Sequence, residues 1–245
     1  AYVNLGLWDD GDETRDAGQH LALLVLGALE LGPGATLVDA GAGLGQAAVD
    51  ACERFALAQV IGINPNVRQV GFATELAARA GLQGRVRHEI ADACTALSAL
   101  PAGSIDGVAA IECIGHFPAP DHFLAGAHHA LRSGGRLAFC LNVAARPFGF
   151  WQRRSARMAY GFVPAPLERW TTRLAAAGLT VIETRDLTDR VLGPMTRIVS
   201  ARVRGDARGS LSWLTRTVMS WQLRSASDAV ASGSLRYALV VAERP

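Results

Sequence analysis

One segment, residues 36–46, constrains the fold of this chain more than any other. It reads Thr-Leu-Val-Asp-Ala-Gly-Ala-Gly-Leu-Gly-Gln, an apolar strand followed by a glycine-rich turn and the start of a helix. A unit of this kind turns backbone N–H groups and the positive end of a helix dipole towards one point. The segment therefore predicts a ligand site at the carboxyl end of the first strand; a tight turn without a ligand is the alternative.

The alternation of strand and helix continues along the chain. Predicted strands lie at residues 36–39, 59–63, 86–90, 106–111, 136–141, 179–184 and 235–242, and predicted helices at about 15–31, 44–56, 66–80, 122–131 and 166–177. Strands separated by helices form a parallel sheet with helices on both faces, which binds ligands at the carboxyl ends of its strands. The predicted fold class is therefore α/β: a doubly wound, mostly parallel seven-stranded sheet with a mostly helical insertion at 190–233, before the last strand.

Composition excludes several kinds of site. All 24 basic residues are arginine, so the chain has no lysine for a Schiff base or for a P-loop. The four cysteines, at 52, 94, 113 and 140, form no CxxC pair, and we predict no metal site. Scattered cysteines, no signal peptide and no apolar run long enough to span a bilayer predict a cytoplasmic protein without stable membrane insertion.

Charge is distributed unevenly along the chain. Residues 1–123 hold 6 arginines and 15 acidic residues, whereas residues 124–245 hold 18 arginines and 7 acidic residues. The basic half would suit phosphate groups, but no nucleic-acid recognition motif accompanies it. We therefore predict no nucleic-acid partner, and leave an acidic carrier protein or a homodimer open.

Further blocks of sequence follow the glycine turn in a recognisable order. They are Gly-Ile-Asn-Pro-Asn at 62–66 with Gln69, Ala-Asp-Ala at 91–93, Ile-Glu-Cys-Ile-Gly-His-Phe at 111–117 and Leu-Arg-Ser-Gly-Gly-Arg-Leu at 131–137. Together with residues 31–45 they resemble the class I S-adenosylmethionine-dependent methyltransferases. The nearest likeness is to the branch of sugar O-methyltransferases, sarcosine and tocopherol methyltransferases and polyketide tailoring enzymes. Residues 2–8 resemble the entry segment of that branch, which folds over the cofactor, and residues 233–239 its final strand.

The resemblance implies a Rossmann-like methyltransferase fold made of one domain. Its regions would be N-terminal cap helices at 1–30, a cofactor-binding core at 31–145, substrate-side elements and the helical insertion at 146–233, and the last strand at 234–245. The implied cofactor is S-adenosyl-L-methionine, which leaves as S-adenosyl-L-homocysteine. The implied acceptor is a small, hydrophobic natural-product or sugar-bearing molecule, methylated at oxygen, with nitrogen and carbon as alternatives.

The implied cofactor site lies in the loops that follow the first four strands and in the entry segment. It comprises Tyr2, Asp39, Gly41, Ala42, Gly43, Gln46, Asn64, Pro65, Gln69, Asp92, Ala93 and Glu112. The glycines would approach the methionine half, and Asn64, where the family usually has an acid, would hold the ribose with help from Gln69. Asp92 and Ala93 would meet the adenine, and the backbone carbonyl at Glu112 would accept from the amine. The alternative for Asp39 and Asp92 is a role as turn or cap residues.

The spacing of the glycines argues against a dinucleotide. That fingerprint needs a third glycine at position 46, but this position is Gln46 and the third glycine is Gly45. A pyrophosphate is therefore not the predicted ligand.

His116 is the candidate general base. It follows the fourth strand, on the loop that in the family faces the transferred methyl group, and histidine titrates in the useful pH range. Removing a proton from an oxygen or nitrogen acceptor would be its role. The alternative is a histidine that merely caps the loop above Pro118.

The region after residue 146 must select the acceptor. Residues 147–151 read Pro-Phe-Gly-Phe-Trp and precede Arg153, Arg154 and Arg157, and apolar residues recur at helical spacing over 211–224. We favour a lid over a hydrophobic acceptor for the aromatic residues; a patch for an acidic partner and ordinary core packing are the alternatives. Two other functions are open: a cyclase that retains the cofactor as a structural ligand, and a non-catalytic cofactor-binding scaffold.

Overall fold

The computed structural model describes residues 2–8, 16–204, 224 and 227–245. A seven-stranded sheet with the order β3-β2-β1-β4-β5-β7-β6 forms its centre. The strands are β1 (Thr36–Ala40), β2 (Gln59–Asn64), β3 (Val86–Ile90), β4 (Ile105–Ile111), β5 (Leu131–Ala144), β6 (Thr180–Asp186) and β7 (Leu235–Glu243). The reversal of strand order between β1 and β4 creates a crevice at the carboxyl edge, where such sheets bind ligands.

Helices cover both faces of the sheet. They are α1 (Ala17–Gly27), α2 (Gln46–Arg54), α3 (Val67–Arg79), α4 (Ala93–Ala96), α5 (Pro120–Ala130), α6 (Phe150–Tyr160), α7 (Leu167–Ala176) and α8 (Thr188–Arg204). One apolar core lies between the sheet and α4, α5 and α7, and a second lies between the opposite face and α1, α2, α3 and α8. The predicted doubly wound α/β fold is therefore confirmed.

The central strands are parallel and apolar on both faces. β1 pairs in parallel with β2 and β4, and β4 with β5, which explains why these strands are continuous apolar runs without alternation. β7 departs from this pattern, because it is antiparallel to both β5 and β6. It begins beside the carboxyl end of β5. The segment that connects β6 with β7 therefore leaves the sheet and re-enters it at the edge where the crevice lies.

Two local differences from the predicted elements have clear causes. The strand predicted at 136–141 begins earlier, because residues 131–135 belong to β5 and contain an irregularity: the pairing with β4 jumps from Leu131 to Arg136, and Gly134 has a φ of 72°. Helix α6 was not predicted, because Phe150 and Trp151 face solvent and leave no apolar stripe in the sequence. The amphipathic pattern at 211–224 falls, except for its last residue, outside the described residues.

No helix in the described part of the chain is both long and apolar enough to cross a membrane.

Candidate functional site

The turn between β1 and α2 is bound tightly to the neighbouring strand. The N–H groups of Gly41 and Ala42 donate to the carbonyl oxygen of Ile63 over 2.8 and 3.1 Å. Gly41, Gly43 and Gly45 have φ angles of 72°, 53° and 81°, in the left-handed region that favours glycine. The predicted glycine turn is therefore a rigid element at the carboxyl end of β1.

The three glycines serve different purposes. A Cβ atom at Gly41 would lie 2.6 Å from the Cβ of Cys113, and one at Gly45 would lie 2.6 Å from the Cβ of Ala73. These two glycines are therefore needed for close packing inside the protein. A Cβ at Gly43 would meet only the carbonyl oxygen of Gly41, at 4.0 Å. Gly43 consequently borders open space, where a ligand can approach the backbone.

That open space is a cleft between the glycine turn and the N-terminal segment. Its lining residues come from residues 2–4, the end of β1, the turn, the start of α2 and the end of β4: Tyr2, Val3, Asn4, Asp39, Gly41, Ala42, Gly43, Leu44, Gln46, Ala47 and Ile111. Six residues of the predicted cofactor site are thus brought together here. The cleft lies in the crevice that the strand order creates.

Asp39 forms a buried acidic group in the wall of this cleft. Its side chain is 2% exposed, and its Oδ2 atom has no hydrogen-bond partner in the structure. Burial raises the pKa of the carboxyl group to about 7. A buried acceptor without a donor is costly, so a ligand with a cationic N–H group would relieve it. The amino acid portion of S-adenosylmethionine carries such a group, and the residues present therefore fit this cofactor.

A second group of predicted residues lies at the end of β2, outside the set that lines the cleft. The amide of Asn64 donates to Oε1 of Gln69 over 2.9 Å and to the carbonyl oxygen of Gly43 over 3.4 Å, and its Oδ1 accepts from the N–H of Asn66. Pro65 forms the bend between Asn64 and Asn66. Asn64 and Gln69 are thus held as a pair beside the glycine turn, as their predicted joint role requires.

Asp92 acts as a helix cap in the structure. Its Oδ1 accepts from the N–H of Cys94 over 2.9 Å, which begins the short helix α4, and Ala93 is buried behind it. The cap role that the sequence left open is therefore present. The role towards adenine remains a prediction.

The N-terminal segment, residues 2–8, is named the strap because it lies across the cleft and is held at several points. The Tyr2 hydroxyl donates to Asp50, and the N–H of Leu5 donates to Oε2 of Glu112 over 2.8 Å. The N–H of Leu7 donates to the carbonyl oxygen of Ala17 over 2.8 Å. The strap is therefore attached to α1, α2 and the end of β4.

Glu112 has a side-chain role that the sequence did not predict. It has a φ of 58°, rare for a residue other than glycine, and its Oε1 accepts from the Tyr237 hydroxyl over 2.6 Å. Burial raises the pKa of its carboxyl group to about 7, although the hydrogen bonds from Tyr237 and Leu5 act against this. Glu112 thereby connects the strap with β7, while the role of its backbone carbonyl remains a prediction.

His116 lies at the end of a short 3₁₀ helix, Ile114–His116, that follows β4. Its exposed ring contacts the edge of Phe162, with 4.9 Å between ring centroids, and lies beside Gly161 at the end of α6. It does not line the cleft around Gly43. Within the described part of the chain the ring makes no hydrogen bond, so it does not cap the loop above Pro118.

Two polar residues that sequence reasoning passed over lie next to the cleft or to the glycine turn. Asp50 on α2 receives hydrogen bonds from the strap, α1 and the start of α2. His88 on β3 lies against Gly45 and Gly62, and both of its ring nitrogens are buried without a partner. Burial lowers the pKa of His88. Neither residue belongs to a sequence motif, so only the folded arrangement reveals them.

No group of three or more histidine, cysteine, aspartate or glutamate side chains is arranged to hold a metal ion among the described residues.

Comparison with known proteins finds a matching family model and several similar proteins. Residues 38–139 match the model of a methyltransferase domain. Erythromycin 3''-O-methyltransferase of Saccharopolyspora erythraea is 28% identical over 211 residues, which cover 79% of this chain and 67% of that protein. The 27-O-demethylrifamycin SV methyltransferase of Amycolatopsis mediterranei is 37% identical over 137 residues, which cover 54% of this chain and 48% of that protein.

A solved structure shares the whole fold. The crystal structure of the [4+2]-cyclase SpnF covers 100% of this chain and 89% of its own, with a TM-score of 0.78 and 22% identity.

Proposed function

We propose that this chain, an S-adenosylmethionine-dependent methyltransferase whose residues 38–139 match a methyltransferase domain, methylates an oxygen atom of a small, hydrophobic natural-product or sugar-bearing acceptor. The names of the erythromycin and rifamycin methyltransferases described above specify an oxygen atom, which supports this acceptor class. Methylation of nitrogen or carbon is the alternative.

The observation that carries the proposal is the cleft beside Gly43. When bound, S-adenosylmethionine supplies a methyl group on a positively charged sulfur. The open backbone at Gly43 would receive its methionine half, and the buried Oδ2 of Asp39 would accept from its ammonium group. The pair formed by Asn64 and Gln69 would hold the ribose, and Asp92 would accept from the adenine amino group.

The main contribution of the protein is to hold the acceptor in line with the methyl group. Charge is removed rather than created in this transfer, so orientation matters more than charge stabilisation. The strap would keep water out, because residues 2–4 lie over the cleft.

His116 is the proposed general base for an oxygen acceptor. Its ring is exposed on the loop after β4, and no internal hydrogen bond occupies its nitrogens among the described residues. A histidine in this state can accept the hydroxyl proton as the methyl group is transferred. Because Phe162 and Gly161 join this loop to α6, we also propose that α6 borders the acceptor.

Turnover of a hydroxylated acceptor tests both parts of the proposal. The protein is incubated with S-adenosylmethionine and a panel of hydroxylated macrolides and glycosides, and products are analysed by mass spectrometry. We expect a gain of one methylene unit and a stoichiometric release of S-adenosylhomocysteine. An isomer of unchanged mass would indicate cyclisation instead, the alternative that the shared fold with a cyclase keeps open.

His116→Gln tests the proposed base. We expect kcat/KM to fall by about 10²–10⁴-fold with an oxygen acceptor, since this is the usual contribution of a positioned base. The dissociation constant of S-adenosylhomocysteine is expected to stay unchanged. His122→Gln, an exposed histidine on α5, is the matched control. A wild-type rate in the His116 variant would rule out this base and favour carbon methylation.

The proposed setting of this activity is the cytoplasm, with a small-molecule acceptor and no nucleic acid. An acidic carrier protein or a second copy of the chain remains open as a partner.

A further inference from the structure

Asp50 accepts hydrogen bonds from three different parts of the chain. Its Oδ2 accepts from the Tyr2 hydroxyl and from Nε2 of Gln19, the latter over 2.6 Å. Its Oδ1 accepts from Nε2 of Gln46 over 2.8 Å. The donors belong to the strap, to α1 and to the first residue of α2, so one carboxylate joins all three.

Packing of α2 alone does not explain why a carboxylate lies at position 50. The side chain is 9% exposed, and its neighbours along the buried part of α2 are Ala48, Val49, Ala51 and Cys52. An apolar residue would pack there without the free-energy cost of burying a carboxylate, which must be compensated by donors. The three donors supply that compensation, and two of them, Tyr2 and Gln46, line the cleft.

The carboxylate also determines how the Gln46 amide is oriented. A carboxylate only accepts hydrogen bonds, so Gln46 must turn its NH₂ group towards Asp50 and its carbonyl oxygen away from it. The same reasoning applies to Tyr2, whose hydroxyl must donate. Burial and the hydrogen bond to Asp50 raise the pKa of this phenol, so it keeps the proton that it donates.

The path of the strap is adapted to this contact. A Cβ atom at Gly18 of α1 would lie 2.7 Å from the Cβ of Tyr2 and 3.1 Å from Oδ1 of Asn4. Gly18 thus leaves room for Tyr2 to pass over α1 and reach Asp50. The Asn4 amide donates to the carbonyl oxygen of Gly18 over 2.9 Å, which fixes the strap at this point.

We propose that Asp50 is a positioning residue for cofactor binding, which holds Tyr2 and Gln46 in place and keeps the strap closed over the cleft. The inference rests on the proposed function in one respect only, the identity of the ligand. Asp50 acts through Tyr2 and Gln46 and need not touch the cofactor itself.

Binding of S-adenosylhomocysteine to Asp50→Asn and Tyr2→Phe tests this role. Both replacements keep the shape of the side chain, but the first removes an acceptor oxygen and the second removes the donor hydroxyl. We expect the dissociation constant, measured by calorimetry, to rise about tenfold in each variant, which corresponds to about 1.4 kcal/mol. The double variant is expected to bind as weakly as Asp50→Asn alone, because Tyr2 acts through Asp50.

Glu53→Gln is the matched control, since it removes a carboxylate from the exposed side of the same helix. We expect it to bind S-adenosylhomocysteine like the wild type. Fully additive losses in the double variant, or unchanged binding in both single variants, would overturn the proposal. If Asp50→Asn does not fold, Tyr2→Phe decides together with hydrogen exchange of the ligand-free protein, in which no cofactor contact is present.

Hydrogen exchange of the ligand-free protein supplies a readout independent of the cofactor. We expect the amides of residues 3–8 to exchange about tenfold faster in Asp50→Asn and Tyr2→Phe, with no change in the central strands. Exchange that is faster throughout the protein would mean a general loss of stability and would overturn the positioning role. Once an acceptor is known, KM for S-adenosylmethionine is expected to rise while kcat stays within about twofold.

These outcomes separate the inference from the proposed function. A wild-type protein that binds neither S-adenosylmethionine nor S-adenosylhomocysteine would contradict the ligand assignment and this inference with it. Wild-type binding that Asp50→Asn leaves intact would contradict the role of Asp50 alone. Methyl transfer to carbon or cyclisation would change the proposed reaction and leave the role of Asp50 standing.

Discussion

Gly43 shows how much a single residue can reveal about a ligand. Gly41 and Gly45 are explained by contacts within the protein, whereas Gly43 combines a left-handed backbone with open space in front of it. Its conformation would be strained for any other residue, and within the described part of the chain no atom fills the space that a side chain would take. We therefore predict that a ligand occupies this space.

Replacing Gly43 by valine should block the cleft. We expect the dissociation constant of S-adenosylhomocysteine to rise at least about 100-fold, because the new side chain occupies ligand space and the strained backbone shifts the turn. Gly81→Val is the control, since Gly81 also has a positive φ, of 69°, with open space around it and no place in the cleft. Calorimetry and thermal unfolding measure both variants. Equal affinity in both would show that strain alone, and not the cleft, matters.

Sequence motifs identify some residues of the site and miss others for a physical reason. The glycine turn is local, so short-range spacing predicts it, whereas the pair Asn64 and Gln69 is implied by the resemblance to the family. The contact of Glu112 with Tyr237 joins residues 125 positions apart, and it exists only because β7 enters the sheet beside β5. Asp50 has no motif at all, because its donors come from segments that only the folded chain brings together.

At the scale of whole elements, the strap depends on the surface of α1. Leu5, Leu7 and Trp8 of the strap use their backbone N–H groups to bind Glu112, Ala17 and Arg190, so the strap is anchored along most of its length. Its path is nevertheless possible only where α1 lacks a side chain. The elements themselves were largely predictable from apolar periodicity, whereas the docking of the strap on α1 depends on one glycine that carries no sequence signal.

Gly18→Ala should therefore loosen the strap without altering the glycine turn. The added methyl group would lie 2.7 Å from the Cβ of Tyr2, which forces the strap away from α1. We expect faster hydrogen exchange in residues 2–8 and binding of S-adenosylhomocysteine about 3- to 10-fold weaker. Gly27→Ala on the same helix meets nothing within 4 Å, and we expect it to leave both properties unchanged. Slow exchange in the strap of the Gly18 variant would contradict this account.

At the scale of the molecule, two buried carboxyl groups make stability depend on pH in an unusual direction. Burial raises the pKa of both Asp39 and Glu112 to about 7, well above the values of exposed carboxyl groups. Below about pH 3 both groups are mostly protonated whether the chain is folded or unfolded. As the pH rises towards 7, the unfolded chain releases these protons first, so the folded state loses relative stability.

We expect the free energy of unfolding of the ligand-free protein to fall, through these groups, as the pH rises from about 4 to 7 and to level off above it. Each group contributes on the order of 1–4 kcal/mol, from about 1.4 kcal/mol per unit of pKa shift. Urea unfolding at several pH values measures the effect, and Asp39→Asn and Glu112→Gln should each flatten the curve. Parallel curves for the wild type and both variants would show that neither carboxyl group is responsible.

The antiparallel placement of β7 has an evolutionary consequence. β6 and β7 are neighbours in the sheet, so the intervening chain is in effect one very long hairpin connection, fixed at Leu187 and Leu192 on one side and at Leu235 on the other. Loop length between such fixed ends costs little free energy, and insertions there leave the strand register intact. We therefore expect relatives with this fold to differ more in length and sequence at residues 193–234 than in the glycine turn, and an alignment of homologues would test this expectation.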